Sequence, residues 1–308
     1  MSRSVVCGVD WSDESISAVN VAARLSRRLD ATLVLAHAVE EHTMFPYGGE
    51  AERNRSRHRA HTETTRLLRR LQRQFSSVDI DGRVLFGPPA DELAELAAEE
   101  QADLLVVGSR GRRAVKAALF GSVSSALMRA ADRPVLIVRS GTDGAVEAIR
   151  DRSPIVCGVD DSPQSRSAAR VAAALARRLR TELVLVHAYS PARSAATIPA
   201  AGIAPPVDHE ALEERQRRAG AALLRHVSAD ATDGAAVRTR LEADAPASAV
   251  ESCAETEQAG LIVVGTHGRG PLASAFLGST SAALAAAASV PVVLVPERAA
   301  RRDLGGRP

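Results

Sequence analysis

The chain is written twice. VVCGVDWSDES at 5–15 returns as IVCGVDDSPQS at 155–165, and ARLSRRLDATLVLAHA at 23–38 returns as AALARRLRTELVLVHA at 173–188, both at an offset of 150. Further on, ADLLVVGSRG at 102–111 returns as AGLIVVGTHG at 259–268, and DRPVLIV at 132–138 as SVPVVLV at 289–295, now at 157. The halves therefore differ by seven residues between about 39 and 86. A duplication of this kind limits the fold strongly, because each copy has to bury a core of its own within an ordinary domain length. The expected division is 1–140 for the first domain, 141–153 for a polar linker, 154–296 for the second domain and 297–308 for a C-terminal tail.

Within each half two periods alternate. SVVCGVD is a short, β-branched apolar run that ends in a polar turn, as a buried strand does. ESISAVNVAARLSRRL has apolar residues at helical spacing. TLVLAHA, RVLF, DLLVVG and PVLIV read as further strands, and DELAELAAEEQA and GSVSSALMRAA as helices. The stretch 42–66 reads as a long polar loop before a helix that ends near 75, and 190–209 as its counterpart. Apolar strands separated by helices indicate a parallel sheet covered on both faces. The expected fold class is α/β: two tandem doubly wound five-stranded parallel-sheet domains of Rossmann-like or flavodoxin-like order.

Such sheets bind ligands beyond the carboxyl ends of their strands. Two features fall there. One is the exit of strand 1, Gly8, Val9 and Asp10, repeated as Gly158, Val159 and Asp160. The other is a series with the spacing G-x2-G-x9-G-S after strand 4: Gly108, Gly111, Gly121 and Ser122, then Gly265, Gly268, Gly278 and Ser279. The filler between the glycines differs in the two copies while their spacing does not. Backbone recognition allows that drift: Gly108 and Gly111 permit close approach and positive φ, and Gly121-Ser122 opens a helix whose free N–H groups and dipole suit phosphate. The P-loop pattern is excluded, since the only lysine, Lys116, follows no glycine, and GxGxxG is missing from the first βα turn.

These motifs resemble the universal stress protein family in its tandem form. The resemblance rests on G-x2-G-x9-G-[ST] in both halves, the strand-1 V-D-x-S and the closing P-V-L-[IV]-V, and covers roughly 4–139 and 154–296. In that family the glycine motif marks members that bind ATP. The resemblance implies that Asp10 and Asp160 approach the ribose or a magnesium ion near the phosphates. Gly8, Val9, Gly158 and Val159 would line the ribose and adenine side, Ala38 and Ala188 would offer backbone to the adenine edge, and Val107 and Val264 would wall the base. Gly108, Gly111, Gly121, Ser122 and Val123 would hold phosphates, as would Gly265, Gly268, Gly278, Ser279 and Thr280. The halves depart from one another at Trp11 against Asp161, Arg110 against His267, and Val123 against Thr280.

Composition narrows the function classes. A formal net charge of +2 points to no nucleic-acid or membrane partner, and aromatics at 3% are too sparse for base-stacking platforms. Three cysteines without a CxxC pair fit a reducing compartment. No run approaches the roughly 18 apolar residues of a membrane span, and the first residues do not read as a signal peptide. A cytoplasmic protein is expected. No GxSxG elbow, metal cluster or dedicated water-activating base is visible, so at most slow ATP hydrolysis is expected.

The favoured reading is an ATP-binding regulatory protein of the stress response with two pockets per chain. The alternatives are an ATPase or nucleotidyl-transfer enzyme using the same pockets, and a scaffold that needs no nucleotide. Ser12 and Ser162 read as the helix caps, with Pro163 at the first helical position, which leaves Asp10 and Asp160 for a ligand. His37 and His187 read as buried, satisfied histidines, His58 and His61 as a solvated helix face, and Cys7 and Cys157 as inert core. The segments 42–66 and 190–209 read either as lids or as disordered loops. PVLIV and PVVLV are apolar edge strands and should pair with one another. A homodimer of chains and a regulatory protein partner are expected.

Overall fold

The computed structural model describes residues 3–40, 50–75, 77–110, 121–139, 153–189, 208–231, 234–268 and 277–300. In the first half the strands are β1 (Ser4–Gly8), β2 (Thr32–Val39), β3 (Ile80–Phe86), β4 (Leu104–Gly108) and β5 (Val135–Val138). The helices are α1 (Asp13–Leu29), α2 (Glu50–Gln74), α3 (Pro89–Glu99) and α4 (Ser122–Ala130). The second half repeats them as β6 (Ile155–Gly158), α5 (Pro163–Leu179), β7 (Leu183–Ala188), α6 (His209–Ala231), β8 (Val237–Glu242), α7 (Pro246–Thr256), β9 (Leu261–Gly265), α8 (Ser279–Ala287) and β10 (Val292–Val295). The expected tail opens with a short helix, α9 (Glu297–Ala300), and Ala299 is buried in the core.

All ten strands form one sheet in the order β3-β2-β1-β4-β5-β10-β9-β6-β7-β8. Each half is parallel and has the order 3-2-1-4-5, so strand order reverses between β1 and β4, and again between β6 and β9. The halves meet as expected through their last strands. β5 and β10 pair antiparallel, with Val292 opposite Ile137, Val293 opposite Leu136 and Leu294 opposite Val135. Because 136 and 293 are themselves equivalent at the offset of 157, a pseudo-two-fold axis passes through the Leu136–Val293 pair.

Alternation along the strands feeds two cores. Val5, Cys7, Leu33, Leu35, Leu104 and Val106 face one side, under α1 and α2. Val6, Val34, Leu105 and Val107 face the other, under α3 and α4. Both layers continue through the second half, so the junction interrupts neither. Across the junction Arg28 Nη2 donates to the Leu179 carbonyl at 2.5 Å, and its equivalent Arg178 donates to the Leu29 carbonyl at 3.4 Å. Each arginine thus meets the negative end of the other half's helix. Arg178 Nη1 also pairs with Asp103 Oδ2 at 2.8 Å.

The polar stretch 42–66 is not a loop throughout: α2 begins at Glu50. Ala60, Thr64, Leu68 and Leu71 are its buried stripe, while its earlier turns are polar, with His58 and His61 exposed. EAERNRSRHR at 50–59 carries no apolar periodicity, which is why the sequence reads as loop there. The residues of 190–209 before Asp208 lie outside the described residues, as do Gly111, Arg112 and Arg113.

Candidate functional site

Two loops leave the sheet at the β1/β4 reversal. The first leaves β1. Its N–H at Val9 donates to the Ala36 carbonyl at 2.8 Å, one rung past the strand. Trp11 then takes φ 66°, a left-handed conformation uncommon for a bulky side chain. Ser12 caps α1, accepting from the Ser15 N–H at 3.2 Å, and Ser162 caps α5 from the Ser165 N–H at 3.1 Å, with Pro163 at the first helical position.

The aspartates are less available than the sequence suggests. Asp10 Oδ1 accepts from the Ser12 N–H at 3.1 Å and from its hydroxyl at 2.6 Å. Asp160 Oδ1 accepts from Ser162 in the same way, at 2.9 and 2.5 Å. A short carboxylate that bonds to the backbone two residues on is a standard turn device, and here it ties the aspartate to the cap serine. In the sequence the cap and the aspartate read as separate; the fold couples them.

The second loop leaves β4 and returns at α4. Its two ends are fastened together: the Gly121 N–H donates to the Ser109 carbonyl at 2.9 Å, and Ser124 Oγ to the Gly108 carbonyl at 2.9 Å. The second half repeats the neck, with Gly278 N–H to the Thr266 carbonyl at 2.7 Å and Ser281 Oγ to the same carbonyl at 2.9 Å. Gly121 and Gly278 are the N-caps of α4 and α8, and neither helix has a side-chain cap. First-turn N–H groups of a helix have no partner within it, and both helices direct such groups toward this end of the sheet. Ser122 and Ser279 are exposed there, with Val123 and Thr280 half-buried beside them. Ser124 and Ser281 were not anticipated as site residues. The signal was present as G-S-x-S at 121–124 and 278–281.

The described glycines of the motif act by close approach rather than by positive φ. Among the described residues the glycines of positive φ are Gly87 and Gly234, outside the motif. A Cβ on Gly108 would lie 2.8 Å from Glu14 Cβ and 2.9 Å from the Glu14 carbonyl carbon, so this glycine lets the start of α1 pack on β4. A Cβ on Gly265 would lie 3.2 Å from Gln164. A Cβ on Gly268 would meet Asp160 Oδ2 at 2.5 Å, which brings the aspartate loop against the glycine loop in the second half. Gly8 and Gly158 give way to Leu93 and Val250.

The remaining expected residues fall as follows. Val9, Val107, Val159 and Val264 are buried and their side chains belong to the cores. Ala38 and Ala188 are half-buried at the ends of β2 and β7. His37 and His187 are satisfied as expected, though only half-buried: Nδ1 of each meets the carbonyl of Val9 or Val159, at 2.5 and 2.8 Å. The Trp11 and His37 rings lie 5.7 Å apart at 45°. Cys7 and Cys157 are buried, and burial pushes both thiols well above their usual range; Cys253, also buried, is pushed up to about 11. Such thiols are poor nucleophiles. Among the described residues no group of three or more His, Cys, Asp or Glu could hold a metal ion, and no helix is long and apolar enough to cross a membrane.

The architecture is thus a pair of Rossmann-type units fused back to back, each with a loop fastened at a glycine neck beside its switch point. The model of the universal stress protein family matches residues 1–139 and 152–296. A universal stress protein of Mycobacterium tuberculosis is 31% identical over 299 residues, covering 95% of this chain and 96% of its own. Another from the same organism is 30% identical over 309 residues, with 94% of each chain covered. The crystal structure of a universal stress protein from Archaeoglobus fulgidus superposes with a TM-score of 0.64 at 18% identity, covering 95% of this chain and 98% of its own, and so shares the fold. The chain belongs to the universal stress protein family, in a tandem arrangement of two domains.

Proposed function

We propose that the chain is an ATP-binding regulatory protein of the stress response, with one nucleotide pocket in each half. One observation carries the reading: at both switch points a glycine loop is closed at its neck ahead of a helix whose first turn has no side-chain cap. Backbone N–H groups and a helix dipole directed at one point favour an anion, and phosphates are the common one. Gly121, Ser122 and Val123 would hold the phosphates in the first pocket, with Gly108 and Gly111 of the same loop. Gly265, Gly268, Gly278, Ser279 and Thr280 would do so in the second. Ala38 and Ala188 would face the adenine edge. Bound ATP would shift conformation or partner choice rather than feed rapid turnover.

Asp10 and Asp160 are the side chains that would meet a magnesium ion arriving with the phosphates. The Oδ1 atom of each of these aspartates already accepts from a serine. Most of the ion's oxygen ligands would therefore come from phosphate and water, as magnesium commonly prefers. A cytoplasmic location, a homodimer of chains and a regulatory protein partner complete the proposal.

The test is nucleotide analysis of freshly purified protein, followed by calorimetric titration of the stripped protein with ATP. Stoichiometry near two supports both pockets, and near one supports a single specialised half. A folded protein with no bound nucleotide and no heat of binding sinks the reading and leaves the scaffold.

A further inference from the structure

Both histidines at the end of the second strand of each half make the same bond. The β1–β2 ladder ends with Gly8 opposite Ala36, followed by the Val9 N–H to the Ala36 carbonyl. The next group along, the Val9 carbonyl, has run past the ladder. A main-chain carbonyl at this depth needs a donor, and His37 Nδ1 supplies it at 2.5 Å. In the second half the Val159 N–H donates to the Val186 carbonyl at 2.8 Å, and His187 Nδ1 meets the Val159 carbonyl at 2.8 Å. A carbonyl only accepts, so Nδ1 carries the proton in both rings.

The two rings are held in place by different neighbours. His37 lies beside Trp11. His187 lies beneath α6, where a Cβ on Gly220 would come within 2.8 Å of its Cδ2. Different packing with an unchanged Nδ1 bond marks that bond as the shared element.

We propose that His37 and His187 are positioning residues: each replaces the missing ladder donor and so fixes the main chain directly before the pocket aspartate. Val9 is gripped at its N–H by β2 backbone and at its carbonyl by a β2 side chain. Asp10 follows with no intervening residue, and its carboxylate is in turn tied to Ser12 at the start of α1. Strand, aspartate and helix cap are thereby held in one geometry. For its consequence in ligand binding the proposal rests on the nucleotide reading above. For its structural content it does not.

The test uses two substitutions that separate the ring nitrogens. Asparagine places an amide nitrogen where Nδ1 sits, whereas glutamine places one where Nε2 sits and lies nearer histidine in volume. In the full chain, hydrogen exchange of the two hydrogen-bonded amides of this loop, Val9 and Ser12, should quicken about five- to tenfold in His37→Gln, the effect of losing one hydrogen bond. His37→Asn should stay within about twofold of the unsubstituted protein, and the equivalent amides of Val159 and Ser162 should not respond to either change. Asparagine exchanging as fast as glutamine, or glutamine indistinguishable from histidine, overturns the proposal, because a space-filling role ranks the two the other way. Should His37→Gln fail to fold, the same pair at His187 gives the comparison beneath Gly220. Calorimetry on the same variants should show ATP weakened about five- to tenfold in the altered half alone with glutamine, and restored with asparagine. An unsubstituted protein that binds no ATP overturns the nucleotide reading, and the exchange ranking still decides the positioning role.

Discussion

Gly108→Ala separates two reasons for keeping a glycine at the end of β4. Its φ lies outside the left-handed region, so alanine is allowed there by the backbone. In the absence of crowding the change would stabilise by about 0.4–1 kcal/mol, through the unfolded chain. Crowding decides otherwise. The new Cβ would lie 2.8 Å from Glu14 Cβ, 2.9 Å from the Glu14 carbonyl carbon and 3.1 Å from the Ser15 nitrogen. Two of these are helix backbone, and α1 is anchored by its serine cap and by Ala18, Val21, Ala22 and Leu25, all fully buried. Overpacking of this kind costs about 1–3 kcal/mol, which leaves a net loss of about 1–2 kcal/mol. Gly265→Ala, at 3.2 Å from Gln164, should lose less. Gly82→Ala, whose Cβ would lie 3.4 Å from Leu68, should be neutral or gain. Urea unfolding followed by the emission of Trp11, the only tryptophan in the sequence, reports on the first half. With an m-value of about 2 kcal/mol per molar, the Gly108→Ala midpoint should fall by about 0.5–1 M. A midpoint equal to or above that of the unsubstituted protein, combined with loss of ATP binding, would refute the packing argument and return the glycine to the ligand.

Two further outcomes follow from local bonds. Ser12→Ala removes the acceptor for the Ser15 N–H and a partner of Asp10, and should destabilise the first half by about 1 kcal/mol in the same urea assay. Ser162→Ala should do the same for the second half, followed by circular dichroism. Glu257, mostly buried, accepts from Arg238 at 2.6 Å and Arg240 at 2.7 Å, and these hydrogen bonds hold its carboxyl below the usual glutamate range. A depressed folded value means that its contribution is full above the unfolded pKa and is lost as pH falls through the folded one. The stability difference between the unsubstituted protein and Glu257→Gln should therefore shrink as pH falls from about 5 through the glutamate range. A difference that grows over that range would contradict the sign.

Much of this molecule was legible because its signals are periodic and doubled. Short β-branched runs such as SVVCG and LLVVG favour buried strands, and the apolar edges PVLIV and PVVLV pair with each other as their exposure invites. What escaped the sequence depends on three-dimensional company. The described residues of α2 before Ala60 are exposed, so no apolar stripe announces that part of the helix. Gly108 is visible as a glycine, but nothing in the order of residues says that Glu14 is what crowds it. Asp10 was separable from Ser12 in the sequence and is not in space, since the hydroxyl that caps the helix also holds the carboxylate. Trp11 in a left-handed conformation has no sequence signal at all, since its counterpart Asp161 is not left-handed.

The axis through Leu136 and Val293 makes the junction self-complementary: strand meets strand, and each α-helix end meets the other copy's arginine. Two separate copies meeting in this way would part on dilution. Joined in one chain, they face each other at a fixed effective concentration, and their pairing no longer depends on how much protein is present. Freed from having to match a twin encoded by the same residues, each copy can change its switch-point loops without disturbing the seam. The differences between Trp11 and Asp161, and between Arg110 and His267, are substitutions that a pair of identical chains could not carry on one side alone.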